Sequence, residues 1–323
     1  MNGLILRALL TAAMAMCTTG ISYSQTYPTG PVRIVVPFPA GGGVDTAGRL
    51  IGQKLSEALG KPVLIDNRAG ANGMIGSEIV AKSAKDGYTL MVNGANFVTS
   101  PSLFAKALYD PVADFDPISL LAHAPNILVV HPSLPVRSVK ELIAFARAHP
   151  GDILFAGSGS GSTPHLAGEL FKTLTRTKMV HVPYRGTGPA ITAILSGEVS
   201  TMFMPAIAAL PLIQTSRVRA LGVTTLERLP ALPDLPTVSE SGLKDYQSSQ
   251  WYGLFAPAGT PPAILDLLGG HAMKIMQSPE MKERMKNSGS VSVGSSRGAF
   301  AKHVQAEFVK WAKIIKASGA TAN

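Results

Sequence analysis

Short apolar runs rich in β-branched residues alternate with amphipathic stretches along most of the chain, and this alternation limits the fold more than any other feature. Runs at 32–38, 62–66, 88–93, 127–131, 153–156, 179–183, 199–204, 219–224 and 252–256 read as strands. Helical patterns fall between them. Over 45–59, Ala47, Leu50, Ile51, Leu55, Ala58 and Leu59 share one face, and Gly60 is the stop. Residues 139–148 follow Ser138 as N-cap, with Glu141 completing a capping box. Stretches 164–174 and 189–195 open on a proline, which suits a first helical turn. In 298–317, Phe300, Val304, Phe308, Trp311 and Ile315 form one stripe. The pattern predicts α/β layers with mainly parallel sheets, in which ligands sit beyond the carboxyl ends of strands.

Three of the strand-to-helix connections are rich in glycine. They are Pro37-Phe38-Pro39-Ala40-Gly41-Gly42-Gly43-Val44-Asp45, Gly157-Ser158-Gly159-Ser160-Gly161-Ser162-Thr163-Pro164 and Val182-Pro183-Tyr184-Arg185-Gly186-Thr187-Gly188-Pro189. A helix N-terminus presents unpaired N–H groups and partial positive charge, so it attracts anions. Any one of these loops is equally an ordinary turn. Three together point to a pocket built around an anion, best a carboxylate.

The N-terminus is expected to be removed. Arg7 precedes an apolar stretch at 8–16, too short to span a bilayer, and Ser22-Tyr23-Ser24 is an acceptable cleavage site. Residues 1–24 therefore read as a secretory signal peptide. The one cysteine, Cys17, lies inside it, after a Met14-Ala15-Met16 that makes a poor lipidation site. The expectation is an exported, unlipidated periplasmic protein without disulfides. The net charge of +9 is spread without a basic, aromatic-interleaved run, which argues against nucleic acid.

Several phrases in order carry a resemblance. They include Val35-Val36-Pro37-Phe38-Pro39-Ala40-Gly41-Gly42-Gly43-Val44-Asp45 with Arg49, Asp66-Asn67-Arg68-Ala69-Gly70-Ala71-Asn72-Gly73, and Asp86-Gly87-Tyr88-Thr89-Leu90. Gly159-Ser160-Gly161-Ser162 with His165-Leu166-Ala167, Val182-Pro183-Tyr184-Arg185-Gly186, Leu232-Pro233-Asp234-Leu235-Pro236-Thr237-Val238 and Gly253-Leu254-Phe255-Ala256-Pro257-Ala258-Gly259-Thr260-Pro261 follow. The chain resembles the Bug (TctC-type) periplasmic solute-binding proteins of tripartite tricarboxylate transporters. The resemblance implies a two-domain α/β periplasmic-binding-protein fold, a Venus flytrap with a mainly parallel sheet in each domain and a ligand cleft between them. Domain 1 would hold residues 25–124 plus 251–323, and domain 2 residues 125–250. It also implies a carboxylate gripped by backbone groups and waters of the first two loops, and delivery to membrane subunits by a monomeric receptor.

Candidate ligand contacts follow. Phe38, Ala40, Gly41 and Gly42 come from the first loop, and Ser158, Ser160, Gly161, Ser162 and Thr163 from the second. Thr163 reads equally as the cap before Pro164, and Asp45 as the N-cap of the first helix. Asn93 and Phe97 follow a strand end beside the expected cleft. Arg185 either pairs with a second carboxylate or stands in solvent. Where many relatives carry Asp or Asn, this chain runs Met204-Pro205-Ala206-Ile207-Ala208-Ala209. That stretch either lines a less polar cleft, with Met204 against the ligand, or packs under the second sheet. In the first case an aromatic or aliphatic dicarboxylate, terephthalate-like or adipate-like, is favoured over an amino acid. His165 and Glu169 have a spacing that permits shared metal ligation, but no third ligand is near, so no metal or cofactor is called for.

Rival classes fit less well. Neither frame around Ser158 or Ser160 makes a nucleophile elbow, so a secreted hydrolase lacks its motif. Gly157, Gly159 and Gly161 lack the third glycine of a dinucleotide fingerprint. A ligand sensor for a membrane signalling partner would share the binding fold. The reading is a carboxylate-binding, non-enzymatic transport protein.

Overall fold

Two half-sheets share one long strand. The computed structural model describes residues 27–159, 161–184, 186–319 and 321; the segment assigned to a signal peptide, Ser160 and Arg185 lie outside the described residues. β1 (Val32–Val36) pairs in parallel with β2 (Val63–Asn67) and β3 (Thr89–Gly94). α1 (Gly43–Leu59) and α2 (Met74–Ala81) make the crossovers, and α3 (Asn96–Leu103) follows β3. In the other half, β5 (Leu154–Gly157) pairs in parallel with β6 (Val180–Pro183) and β7 (Thr201–Pro205). α5 (Thr163–Thr175) and α6 (Thr187–Ser196) connect them, after α4 (Val139–Ala148).

β4 (Phe115–Val130) joins the halves. Its first part runs antiparallel to β9 (Ser249–Pro257), from Phe115 opposite Pro257 to Pro125 opposite Ser249. From Asn126 opposite Pro205 onward it pairs with β7, and its far edge takes β8 (Arg219–Val223). β9 also runs antiparallel to β3. α7 (Ala206–Gln214) follows β7. The chain then returns to the first half through α8 (Pro262–Met276), α9 (Pro279–Asn287), β10 (Val291–Ser292) and α10 (Arg297–Ser318). The outer strands are parallel, as α/β alternation requires. The sheet is nevertheless mixed, because the strands that carry the chain across and back run antiparallel.

Strand alternation sorts the core into layers. Val32, Ile34 and Val36 face one cluster with Leu50 and Leu55 of α1, while Val35 faces another with Met91 and Phe97. Glycines let α1 lie close to the sheet: a Cβ on Gly48 would stand 2.8 Å from Val36 Cγ2. Phe203 points into the same central cluster as Val35, joined through Phe155, Tyr246, Trp251 and Phe300, so one core runs beneath both halves. Met202 and Met204 point the other way, with Ile127 and Val129. Met204 is 0 % exposed; the alternative that packs it under the second sheet is the one the structure shows.

Caps are local and largely as expected. Ser138 Oγ accepts from Glu141 N (3.1 Å), and the Glu141 carboxylate accepts from Arg137 N (2.7 Å). Ser162, not Thr163, caps α5, its hydroxyl accepting from His165 N. Asp45 is not the cap of α1: Gly42 is, and Asp45 lies inside the first turn. Gly43 and Val44 extend the helix N-terminal to its expected start at 45.

Candidate functional site

A cavity of about 500 Å³ opens where the two halves meet. Five helix starts reach it: Gly43 of α1, Asn96 of α3, Thr163 and Pro164 of α5, Thr187 of α6, and Ala206 and Ile207 of α7. Of these, α1, α5 and α6 follow the three glycine loops, each placed beyond the carboxyl end of a parallel strand. The crossing strands supply Ala124, Pro125 and Asn126 of β4 and Gln250 and Tyr252 of β9. Leu50, Leu121, Ala122, Ile207, Met276 and Met285 give the wall an apolar stretch. Among the described residues that line the cavity, none has a charged side chain.

The first loop is held from behind by a buried carboxylate. Asp45 is 2 % exposed. Its Oδ2 accepts from Gly41 N and from Arg49 Nε, both at 2.9 Å, and its Oδ1 from Asn67 Nδ2 at 2.9 Å. Asn67 Nδ2 also donates to the Phe38 carbonyl at 3.0 Å. Burial opposes the charged form of Asp45, but these hydrogen bonds outweigh it and hold the carboxyl down at about 2. Asp45 therefore clamps the loop to the end of β2.

Neutral groups hold the second loop. Gly161 N donates to His165 Nδ1 at 2.9 Å, and the His165 ring stacks on His181 with centroids 3.9 Å apart. Burial first, and then the nearby Lys172 charge, push His165 down to about 4; burial and His165 do the same for His181. Thr163 Oγ1 donates to Gln250 Oε1 at 3.0 Å, tying α5 to β9.

Gly41, Ser158, Ser162 and Thr163 of the expected contacts line the cavity. Gly42 lies between two lining glycines. Phe38 packs against the first core, Ala40 is exposed, and neither lines the wall. Gly161 has its N–H engaged by His165, as Gly41 has by Asp45, so these two amides are not free for an anion. Asn93 is buried behind the site, donating to Ser77 Oγ and accepting from Gly94 N, and Phe97 is core. Met204 faces away, although its neighbours Pro205, Ala206 and Ile207 do line the cavity. Asn96, Asn126, Thr187 and Gln250 were missed. Asn126 and Gln250 carry no local motif; only the crossing of β4 and β9 puts them here.

A family model described as the tripartite tricarboxylate transporter family receptor matches residues 47–320. The chain belongs to this family. BugT of Bordetella pertussis is 35 % identical over 97 % of this chain and 98 % of its own. A structure of an R. palustris protein with adipate superposes with a TM-score of 0.76 at 37 % identity, covering 91 % of this chain and 99 % of that one. MatC from Rhodopseudomonas palustris with bound malate gives 0.72 at 32 % identity, over 90 % of this chain and 100 % of the other. Members of this family are periplasmic solute-binding proteins, not enzymes. Among the described residues no helix is long and apolar enough to cross a membrane.

Proposed function

We propose that this receptor binds a small carboxylate with an apolar body and hands it to the membrane subunits of a tripartite tricarboxylate transporter. The observation that carries the reading is a cavity reached by five helix N-termini and free of charged side chains among its described lining residues. Positive dipole ends suit a carboxylate without a cationic side chain. An α-amino group would find no carboxylate partner, because Asp45 already holds Gly41, Arg49 and Asn67. Adipate and malate, bound by the two similar proteins, supply the size range, and terephthalate fits the same chemistry.

Closure follows from the strand crossing. Residues 25–124 with 251–323 would move as one body and 125–250 as the other, hinged where β4 and β9 pass between the halves. The ligand favours the closed form only by contacts made to both bodies. The receptor acts as a periplasmic monomer after loss of residues 1–24. Calorimetry of the mature protein with adipate, terephthalate, malate, aspartate and glutamate tests the reading. Tighter binding of the dicarboxylates is the expected result; tighter binding of an amino acid, or of none of the five, overturns it.

A further inference from the structure

We propose that Asn126 is a specificity-determining residue, donating its side-chain amide to an acceptor on the end of the ligand away from the second glycine loop. The cavity would thereby prefer a dicarboxylate to the monocarboxylate of equal length. The proposal rests on the carboxylate reading above and adds the group that recognises the second end.

Asn126 is 2 % exposed and lines the cavity. Its Nδ2 is buried without a hydrogen-bond partner. Five other buried side-chain atoms share that condition among the described residues, and none of their residues lines the cavity. The backbone at this position is held on both sides: Asn126 N donates to Thr224 Oγ1 at 3.0 Å, and Thr224 Oγ1 donates to the Asn126 carbonyl at 2.9 Å. The side chain thus stands on a strand whose position is set independently of it. Around it, Ala124, Pro125, Pro205 and Ala206 offer no side-chain acceptor. A buried donor without an acceptor is costly, and native proteins rarely leave one so. A carboxylate oxygen is the stronger kind of acceptor, since one partner of the bond is charged. Asn126 also lies at the strand crossing, opposite Pro205 at the start of α7, and belongs to none of the three glycine loops. β4 stands two strands from β5, about 10 Å across the sheet, so a bond at Asn126 addresses a different part of the ligand from the one the second glycine loop holds.

The test is calorimetry of the mature protein with adipate and hexanoate, for wild type, N126L and N126A, with melting curves to confirm folding. N126L keeps the side chain's size and loses its donor; N126A serves should the leucine perturb the joint. Loss of a hydrogen bond to a charged group predicts a fall of about 10- to 100-fold for adipate. Hexanoate affinity should stay within about twofold, since its second end offers no acceptor. Wild-type affinity for adipate in a folded variant overturns the proposal. So does an equal loss for both acids, which would make Asn126 a structural residue or a contact to the shared carboxylate. A wild-type protein that binds neither acid shows instead that the carboxylate reading itself has failed, and the proposal falls with it.

Discussion

The first and second glycine loops share one design in sequence and differ in how they are held. Each leaves a parallel strand, turns on glycines and opens a helix at the same cavity. Behind the first stands a buried, ionised carboxylate with Arg49 and Asn67 on it. Behind the second stand two stacked, neutral imidazoles. A charged clamp is strong only while every donor is in place; a neutral one depends on a ring keeping its lone pair. The two loops should therefore fail under different perturbations.

The largest expected effect is on the charged clamp. D45A removes the acceptor for Gly41 N, Arg49 Nε and Asn67 Nδ2 at once. Breaking a buried pair leaves its partners uncompensated, and Arg49 is half exposed, which moderates the cost. A destabilisation of about 3 kcal/mol by urea unfolding is expected. A change below about 0.5 kcal/mol would mean that the surface-like value for an ion pair applies and that the loop is held by something else.

Acid should separate the loops next. The folded-state values of His165 and His181 lie below the ordinary 6.5, at about 4. Between these values the unfolded chain binds more protons, so the contribution of the pair is full above 6.5 and is lost as pH falls toward 4. Protonation of His165 also removes the acceptor for Gly161 N. Asp45, depressed to about 2 from 3.8, keeps its contribution above 3.8 and loses it only below. Melting temperature should fall between pH 6.5 and 4, and H165Q should make that part of the curve shallower without abolishing it, because burial also depresses His181, His123 and His303. An unchanged slope in H165Q would remove His165 from the account.

G161V strikes the second loop alone. Gly161 has φ +75°, and a Cβ there would stand 2.6 Å from Leu103 Cδ1, a side chain of the first half. Strain and overpacking together cost about 1–3 kcal/mol. Most of it should fall on the closed form, because the clash is between the two halves. Carboxylate affinity is expected to drop at least about tenfold while the melting transition stays cooperative. Full affinity would show that the loop and Leu103 part without penalty on closure.

What could be read from the sequence was what local chemistry decides. α4 spans 139–148 as its cap and stripe require, since both signals lie within the helix itself. β4 was legible only from 127 onward. Its first part carries Asp116, Pro117, His123 and Pro125, poor strand formers that β9 and β10 hold in place from far along the chain. The same non-local pairing hid Asn126 and Gln250. Met204 was ambiguous for a different reason. Met202, Phe203 and Met204 are all buried, so β7 has no polar face to set its alternation, and only the structure shows which side meets the cavity. Asp45 was misplaced by three residues because an acidic residue near a helix start suits the first turn as well as the cap.

The smallest expected effect concerns the one hydrogen bond that joins the second loop to the joint. Thr163 Oγ1 donates to Gln250 Oε1, and Gln250 sits on β9 one residue past the pairing of Ser249 with Pro125. A neutral, part-buried bond of this kind contributes about 0.5–1.5 kcal/mol. T163V keeps the shape and removes the donor, so unfolding stability should fall by about 1 kcal/mol. The clamp behind the loop does not involve Thr163, so the loss of stability between pH 6.5 and 4 should persist in T163V with its slope unchanged. The double variant with Q250L decides whether the bond is what matters. If it is, the second substitution adds little, because removing both partners leaves no orphaned acceptor. Additive losses would mean that the two side chains act separately, and that the second loop is held by its histidines alone.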